Sequence, residues 1–299
     1  MMTDNRGYSG EVPVLEVKNL SKQYRGFLLD KISFVLPKGY IMGYVGPNGA
    51  GKSTTLGLIT QTRRAEEGEV LLDGKRYEED PILYKEKIGY VSSISYFPPT
   101  MKVRDAALLL KQFYPTFSKD EFYHLIREWN LPEHKKFSTF STGMTVKLMF
   151  AAVLARKTRL LILDEATNGL DVLFREEILT LLQHYIEDGE HSVLFATHII
   201  DDLEQIADYI VMVEDGRVLL QDTKEALTEN YILIKGEETL LAREDIARYL
   251  LGVKRSAYGF SALIPSDNAA LLPAGTVMEK PTISQMMSYL MKGHDKLGV

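Results

Sequence analysis

At 299 residues, 45% of them hydrophobic and 25% charged, the chain is long enough for two domains or one with an appendage, and its balance excludes disordered and fibrous classes. With 35 Lys and Arg against 41 Asp and Glu, a net charge of −6, it lacks the electrostatic footprint of a general nucleic-acid binder, so no nucleic acid is expected as a partner. It has no cysteine, which rules out disulfides, thiolate catalysis and Cys-ligated metal and fits a reducing compartment.

Residues 1–12 read as a flexible tail, and Met1 to Gly10 is polar with no apolar signal core. Val14 to Val17 alternates apolar and charged residues, as a half-buried strand does. Ile41 to Val45, Leu160 to Leu163 and Ser192 to Ala196 are apolar without alternation, the pattern of strands buried on both faces of a parallel sheet. Asp73-Gly74 and Asp215-Gly216 each sit between β-rich runs and read as hairpin turns. The first joins Val70–Leu72 to Lys75–Tyr77, the second Tyr209–Val213 to Arg217–Leu220. Residues 98–157 carry helical periodicity over Ala106 to Tyr114, Glu121 to Trp129 and Thr145 to Lys157, a helical insertion in an α/β core spanning residues 13–222. Residues 223–299 read as a small C-terminal α+β appendage, with strands at Tyr231 to Lys235 and Tyr258 to Ile264 and helices near Ala242 to Leu251 and Ser284 to Met291. No apolar stretch reaches the ~18 residues of a spanning helix, so the expectation is a soluble chain able to dock on a membrane protein.

Gly46-Pro47-Asn48-Gly49-Ala50-Gly51-Lys52-Ser53 matches G-x-x-x-x-G-K-[ST] in full and is followed by Thr54. It follows a buried strand and opens a helix over Ser53 to Thr60. Glycines let successive N–H groups turn inward onto an anion, and the helix N-terminus adds its positive dipole end. Lys52 is placed to reach the β- and γ-phosphates of a nucleotide, and Ser53 offers a hydroxyl to Mg²⁺. The run Leu160 to Leu163 ends in Asp164-Glu165. A buried strand ending in Asp brings a carboxylate to the metal, and Glu165, one step on, is placed to orient or deprotonate water. His198 follows Val193 to Ala196, again at a carboxyl end, where a neutral imidazole can sense the γ-phosphate. The other five histidines read as ordinary surface residues. Ser141 is a natural N-cap for the apolar helix after Phe140-Ser141-Thr142-Gly143-Met144, and the Ser-x-Gly at that N-terminus is also a second anion site. From that segment alone, a plain cap is the simpler reading.

Together these residues resemble the ATP-binding subunit of an ATP-binding-cassette (ABC) transporter, of the bacterial exporter type with a separate membrane subunit. Residues 13–222 carry the family order: phosphate loop, helical insertion, signature loop, Asp-Glu strand, Asn168-Gly169-Leu170-Asp171, then Thr197-His198. The resemblance implies the ABC ATPase fold, a P-loop core with an antiparallel β subdomain, with ATP and Mg²⁺ as its ligands. It implies two ATPase subunits, a homodimer or a heterodimer, burying two nucleotides head to tail. Carried over, Lys52, Glu165 and His198 are catalytic, and Tyr24 and residues Gly46 to Thr54 bind nucleotide. Ser53 and Asp164 hold the metal. Ser141, Thr142, Gly143 and Met144 reach the nucleotide of the opposite protomer, and Asp171 lies in the loop linking the two sites. The partner implied is a polytopic transmembrane chain, and the location is the cytoplasmic face of the membrane. Val277 to Gln285, a strand and then a helix after Pro281, looks like the tail of such exporters, and in overall texture the chain resembles subunits exporting peptides, including antimicrobial or modulin-type peptides.

Three departures stand out. The family's usual Gln after Ile88-Gly89-Tyr90-Val91 falls at Ser93, too short to span the same distance, which leaves that contact bridged by water or lost. The signature reads Ser-Thr-Gly-Met, with Thr142 and Met144 as in exporter ATPases whose membrane subunit is a separate polypeptide. Ala166 stands where a Pro usually follows the Asp-Glu. Two other readings remain open at this point: a soluble, non-transport ABC ATPase acting as a nucleotide-gated clamp or regulatory module, and a slow partner in a heterodimer.

Overall fold

A computed structural model describes residues 11–291. Met1 to Gly10, most of the expected tail, and His294 lie outside the described residues. The described residues form three sheets. Strands β1 (Leu15–Tyr24), β2 (Phe27–Leu36) and β4 (Glu67–Leu72) make an antiparallel sheet in the order β2-β1-β4. The second sheet contains β3 (Ile41–Val45), β5 (Ile88–Ser92), β6 (Leu160–Asp164), β7 (Ser192–Thr197), β8 (Tyr209–Glu214) and β9 (Arg217–Thr223), in the order β5-β6-β7-β3-β8-β9. All its pairs are parallel except β8–β9.

The sheet's pleat explains its uninterrupted apolar strands. Side chains alternate between faces along a strand. Ile41, Val45, Leu161, Leu163, Val193 and Phe195 enter one core, which they share with the helical insertion. Met42, Tyr44, Leu160, Ile162, Leu194 and Ala196 enter the other, against the antiparallel sheet. Burial on both sides removes any need for polar alternation. Because β3, β6 and β7 are parallel neighbours, their carboxyl ends share one edge, where an open α/β sheet binds its ligand.

Helix α1 (Lys52–Ile59) follows β3, and α2 (Pro81–Lys87) precedes β5. Between β5 and β6 lie α3 (Val103–Phe113), α4 (Lys119–Glu128) and α5 (Thr142–Leu154), and no strand interrupts residues 98–157. The last of these starts three residues before the expected run, where Ser141 caps it, and stops three before Lys157. Helix α6 (Val172–Ile186) joins β6 to β7, and α7 (Ile200–Ile206) joins β7 to β8.

The second Asp-Gly pair turns a hairpin, with Asp215 and Gly216 at φ 47° and 75°. The first turns the chain but does not start the expected strand. Asp73 and Gly74 have φ 48° and 73°, and Leu72 bridges Lys75. Tyr77–Glu79 then form a 3₁₀ turn, and α2 begins at once. Asp80-Pro81 supplies a cap and a pre-set first helical residue, and the Asp80 carboxylate accepts from Leu83 N at 2.9 Å. A local helix start overrides the hairpin.

After β9 come α8 (Lys224–Asn230) and a four-stranded sheet of β10 (Tyr231–Gly236), β11 (Leu251–Ser256), β12 (Gly259–Pro265) and β13 (Val277–Glu279), in the order β11-β12-β10-β13. The helix expected near Ala242 to Leu251 shrinks to a 3₁₀ turn at Glu238–Ala242 and α9 (Glu244–Ala247), and Leu251 opens a strand. The strand expected from Tyr258 starts at Gly259, leaving Tyr258 at the hairpin tip, 97% exposed. One face of this sheet buries Ile234, Phe260 and Ile264 around Ile246. From the other, Leu233 and Leu263 join α10 (Ile283–Leu290) in the main core.

Candidate nucleotide site

The loop between β3 and α1 is shaped by three glycines. A Cβ on Gly46 would lie 2.3 Å from the Val213 carbonyl oxygen, so only glycine leaves β3 this close to β8. Gly49 and Gly51 have φ 86° and 105°, a region that glycine enters at little cost. Between them Ala50 N donates to Pro47 O at 3.1 Å, closing a turn around Asn48. Lys52, 6% exposed, donates from Nζ to Gly46 O at 2.8 Å and lies 3.4 Å from Glu165 Oε1. A buried ammonium needs such partners, because an unpaired buried charge is costly.

Asp164 ends β6 facing α1. Ser53 Oγ donates to its Oδ1 at 3.4 Å, and Tyr90 on β5 donates to Oδ2 at 2.9 Å. Burial and the neighbouring Asp164 charge push the Tyr90 phenol well above its usual range, so it stays a neutral donor. Glu165 leaves the strand with φ 51°, an uncommon conformation for a residue with a side chain. Strain of this kind costs about 1–3 kcal/mol and persists where neighbours enforce it. Here Glu165 N donates to Ala196 O at 2.9 Å, and Oε2 meets His198 Nδ1 at 2.7 Å and Asn168 Nδ2 at 3.2 Å. His198 N also donates to Oε2, at 3.3 Å, so three nitrogens converge on this one carboxylate oxygen. The sheet thus brings Lys52, Ser53, Asp164, Glu165 and His198 together from the ends of three neighbouring strands.

The remaining candidates lie apart from this cluster. Ser141 caps α5, accepting from Met144 N at 3.2 Å, and it and Thr142 are exposed. A Cβ on Gly143 would meet nothing closer than 3.7 Å, so the chain's own packing does not require glycine there. Asp171 caps α6, accepting from Phe174 N at 2.9 Å. Tyr24 ends β1. The Arg63 guanidinium sits 5.7 Å over its ring and donates to its hydroxyl at 3.1 Å and to Thr54 Oγ1 at 3.4 Å. Ser93 follows Ser92, which pairs in register with Asp164. Sequence reasoning missed Arg63 and Tyr90 as neighbours of the site. Tyr90 has a readable signal, since it lies two residues before the carboxyl end of β5, beside the strand that ends in Asp164. Arg63 has none, because it folds back over α1 from a turn.

Mg²⁺ takes oxygen ligands, usually one or two carboxylates plus substrate phosphates, rather than a full protein cage. The Ser53 hydroxyl beside the Asp164 carboxylate fits that donor set. The glycine cradle and the buried Lys52 ammonium fit a polyphosphate.

A family model described as "ABC transporter" matches residues 29–168. Over 223 residues the chain is 30% identical to the ABC transporter ATP-binding protein YtrB of Bacillus subtilis (strain 168), covering 74% of this chain and 76% of that protein. Over 209 residues it is 31% identical to the bacitracin transport ATP-binding protein BcrA of Enterococcus faecalis, covering 69% and 68%. A solved structure described as the ATP-binding subunit of an ABC transporter superposes with a TM-score of 0.66 at 28% identity, over 72% of this chain and 91% of that one. The chain belongs to the ATP-binding proteins of ABC transporters, a family of ATPases.

Proposed function

We propose that this chain binds and hydrolyses ATP to power export through a separate membrane-spanning partner, closing against a second ATPase subunit as it does so. The observation that carries this reading is the meeting of Lys52, Ser53, Asp164, Glu165 and His198 at one sheet edge. Phosphate oxygens attract the Lys52 ammonium away from Glu165, which leaves Oε1 to accept a proton from an attacking water. His198 and Asn168 hold the opposite oxygen, so the base keeps its orientation as its partner leaves. Mg²⁺, held by Ser53 and Asp164, would neutralise charge on the β- and γ-oxygens. Tyr24 stacks on the adenine, and Gly46 to Thr54 wrap the phosphates.

Two features support the assembly. The exposed N-terminus of α5, with a glycine its own fold does not demand, suits a second subunit's nucleotide. Asp171 would then lie in the loop between the two sites. A cleft of about 480 Å³, walled by Tyr77, Ile82, Lys85, Tyr96 and Phe113, opens beside the loop after Ser93. On this reading the cleft receives a cytoplasmic segment of the membrane partner, and the chain works at the cytoplasmic face. Among the described residues no helix is long and apolar enough to cross a membrane, and the reading assigns the crossing to the partner. BcrA is named for bacitracin transport, which supports a transport role, and a peptide is the cargo class the sequence resemblance implies.

Calorimetry on the full-length Glu165→Gln variant tests the core of this. Mg·ATP should bind with measurable heat and drive dimerisation in sedimentation runs, and Lys52→Ala should weaken the binding itself. No heat with Glu165→Gln, or unchanged affinity in Lys52→Ala, contradicts the phosphate-loop assignment. Co-purification of a polytopic membrane protein in detergent tests the partner.

A further inference from the structure

Asp202 is a carboxylate 1% exposed, placed on α7 and used by none of the chemistry above. A buried acid of this kind needs partners, and it has two, from different parts of the chain. Thr167 Oγ1 donates to Oδ2 at 2.7 Å, and Arg175 Nε bonds and ion-pairs with Oδ1. Thr167 is itself 1% exposed. It lies two residues after Glu165 and one before Asn168, whose amide holds the Glu165 carboxylate. Arg175 belongs to the first turn of α6, the helix that Asp171 caps. Asp202 sits four residues after His198. One carboxylate therefore ties together the segment bearing Glu165, the segment bearing His198 and the helix beginning at Asp171.

The C-terminal region grips the same helix from outside. Ser284 N at the start of α10 donates to Glu204 Oε1 at 2.9 Å, and Lys224 Nζ donates to Glu204 O at 2.9 Å. Leu203 and Ile206 of α7 pack in the core that holds Ile283, Met286 and Met287 of α10.

We propose that Asp202 is a positioning residue for hydrolysis, setting the spacing of the Glu165 and His198 loops through Thr167 and Arg175 while α10 braces its helix. The proposal rests on the reading of Glu165 as base. Two hydrogen bonds join the loops at Glu165 Oε2, from His198 Nδ1 at 2.7 Å and from His198 N at 3.3 Å, and their lengths are set by where those loops are pinned. Asp202 contacts no reacting atom, so its effect appears in turnover and not in nucleotide binding.

The test uses the full-length protein and measures kcat, the Mg·ATP Kd and the thermal midpoint. Asp202→Asn keeps the shape and loses the charge. It should lower kcat on the order of 10- to 100-fold, the scale of a sub-ångström to ångström misplacement, with Kd unchanged. Combined with Glu165→Gln, it should have almost no added effect, because the group it positions is already disabled. Thr167→Val, which leaves the Asp202–Arg175 pair intact, should show the same kcat-only loss, and it decides the matter if Asp202→Asn does not fold. Unchanged kcat overturns the proposal. So does a Kd that rises in step with the loss of kcat, or an equal loss in the Glu165→Gln background. Normal turnover in Glu165→Gln alone overturns instead the assignment of the base.

Discussion

Glu165 is held on both carboxylate oxygens, by Lys52 on one and by His198 and Asn168 on the other. A solvated acid at a strand end needs none of these partners, and it needs no left-handed backbone. The arrangement makes sense for a base that must keep one oxygen aimed while the other works. Glu165→Gln keeps the shape and removes the proton acceptor. It should cut turnover by ~10²–10⁴, the usual contribution of a positioned base, while Mg·ATP binding persists. His198→Ala removes one hydrogen bond to a charged group, worth about 1.5–3 kcal/mol. Turnover should therefore fall by about 10- to 100-fold, with a smaller change in Kd. Steady-state rates beside equilibrium titrations check both, and full activity in His198→Ala would return it to a structural role.

The phosphate loop shows why a motif is legible at the scale of an element. Gly46 is required by a backbone approach to Val213, and Gly51 by a positive φ at the start of α1. Both are demands that only glycine meets, so they leave a mark in the sequence. Gly46→Ala should therefore force β3 and β8 apart. It should cost about 1–3 kcal/mol of stability, as overpacking does, and weaken Mg·ATP binding, both readable from urea unfolding and calorimetry. The buried strands are legible for a similar reason: β6 and β7 face apolar layers on both sides and tolerate no alternation. Asp73-Gly74 does form a turn, but the second strand of the expected hairpin is lost because Asp80-Pro81 starts a helix only a few residues later. Strand β11 escapes a sequence reading because its Gly252 and charged residues look irregular until β12 supplies a partner. The site is legible where residues adjacent in sequence act together, as at Asp164-Glu165. It is illegible where distant ones meet, as with Tyr90 on Asp164 or Asp202 on Thr167.

At the scale of the whole molecule, the C-terminal region has its own small core but shares its last helix with the nucleotide-binding part. Thr282 caps α10, accepting from Gln285 N at 3.1 Å, and Pro281 precedes the cap, so the helix starts at a defined point against α7. Its apolar face, with Met286 fully buried, joins Leu203 and Ile206 in one continuous core. Unfolding this region would expose those α7 side chains, which couples the two parts thermodynamically. Met286→Ala leaves a cavity at that junction and should cost about 2–5 kcal/mol. In urea the midpoint for the nucleotide-binding part should move with that of the appendage, because the cavity lies in a core both parts use. Tyr258→Ala, at an exposed hairpin tip in the same appendage, should move neither. If the appendage alone lost stability in Met286→Ala while the rest unfolded at the wild-type midpoint, α10 would be a passenger and not a brace on the helix just after His198.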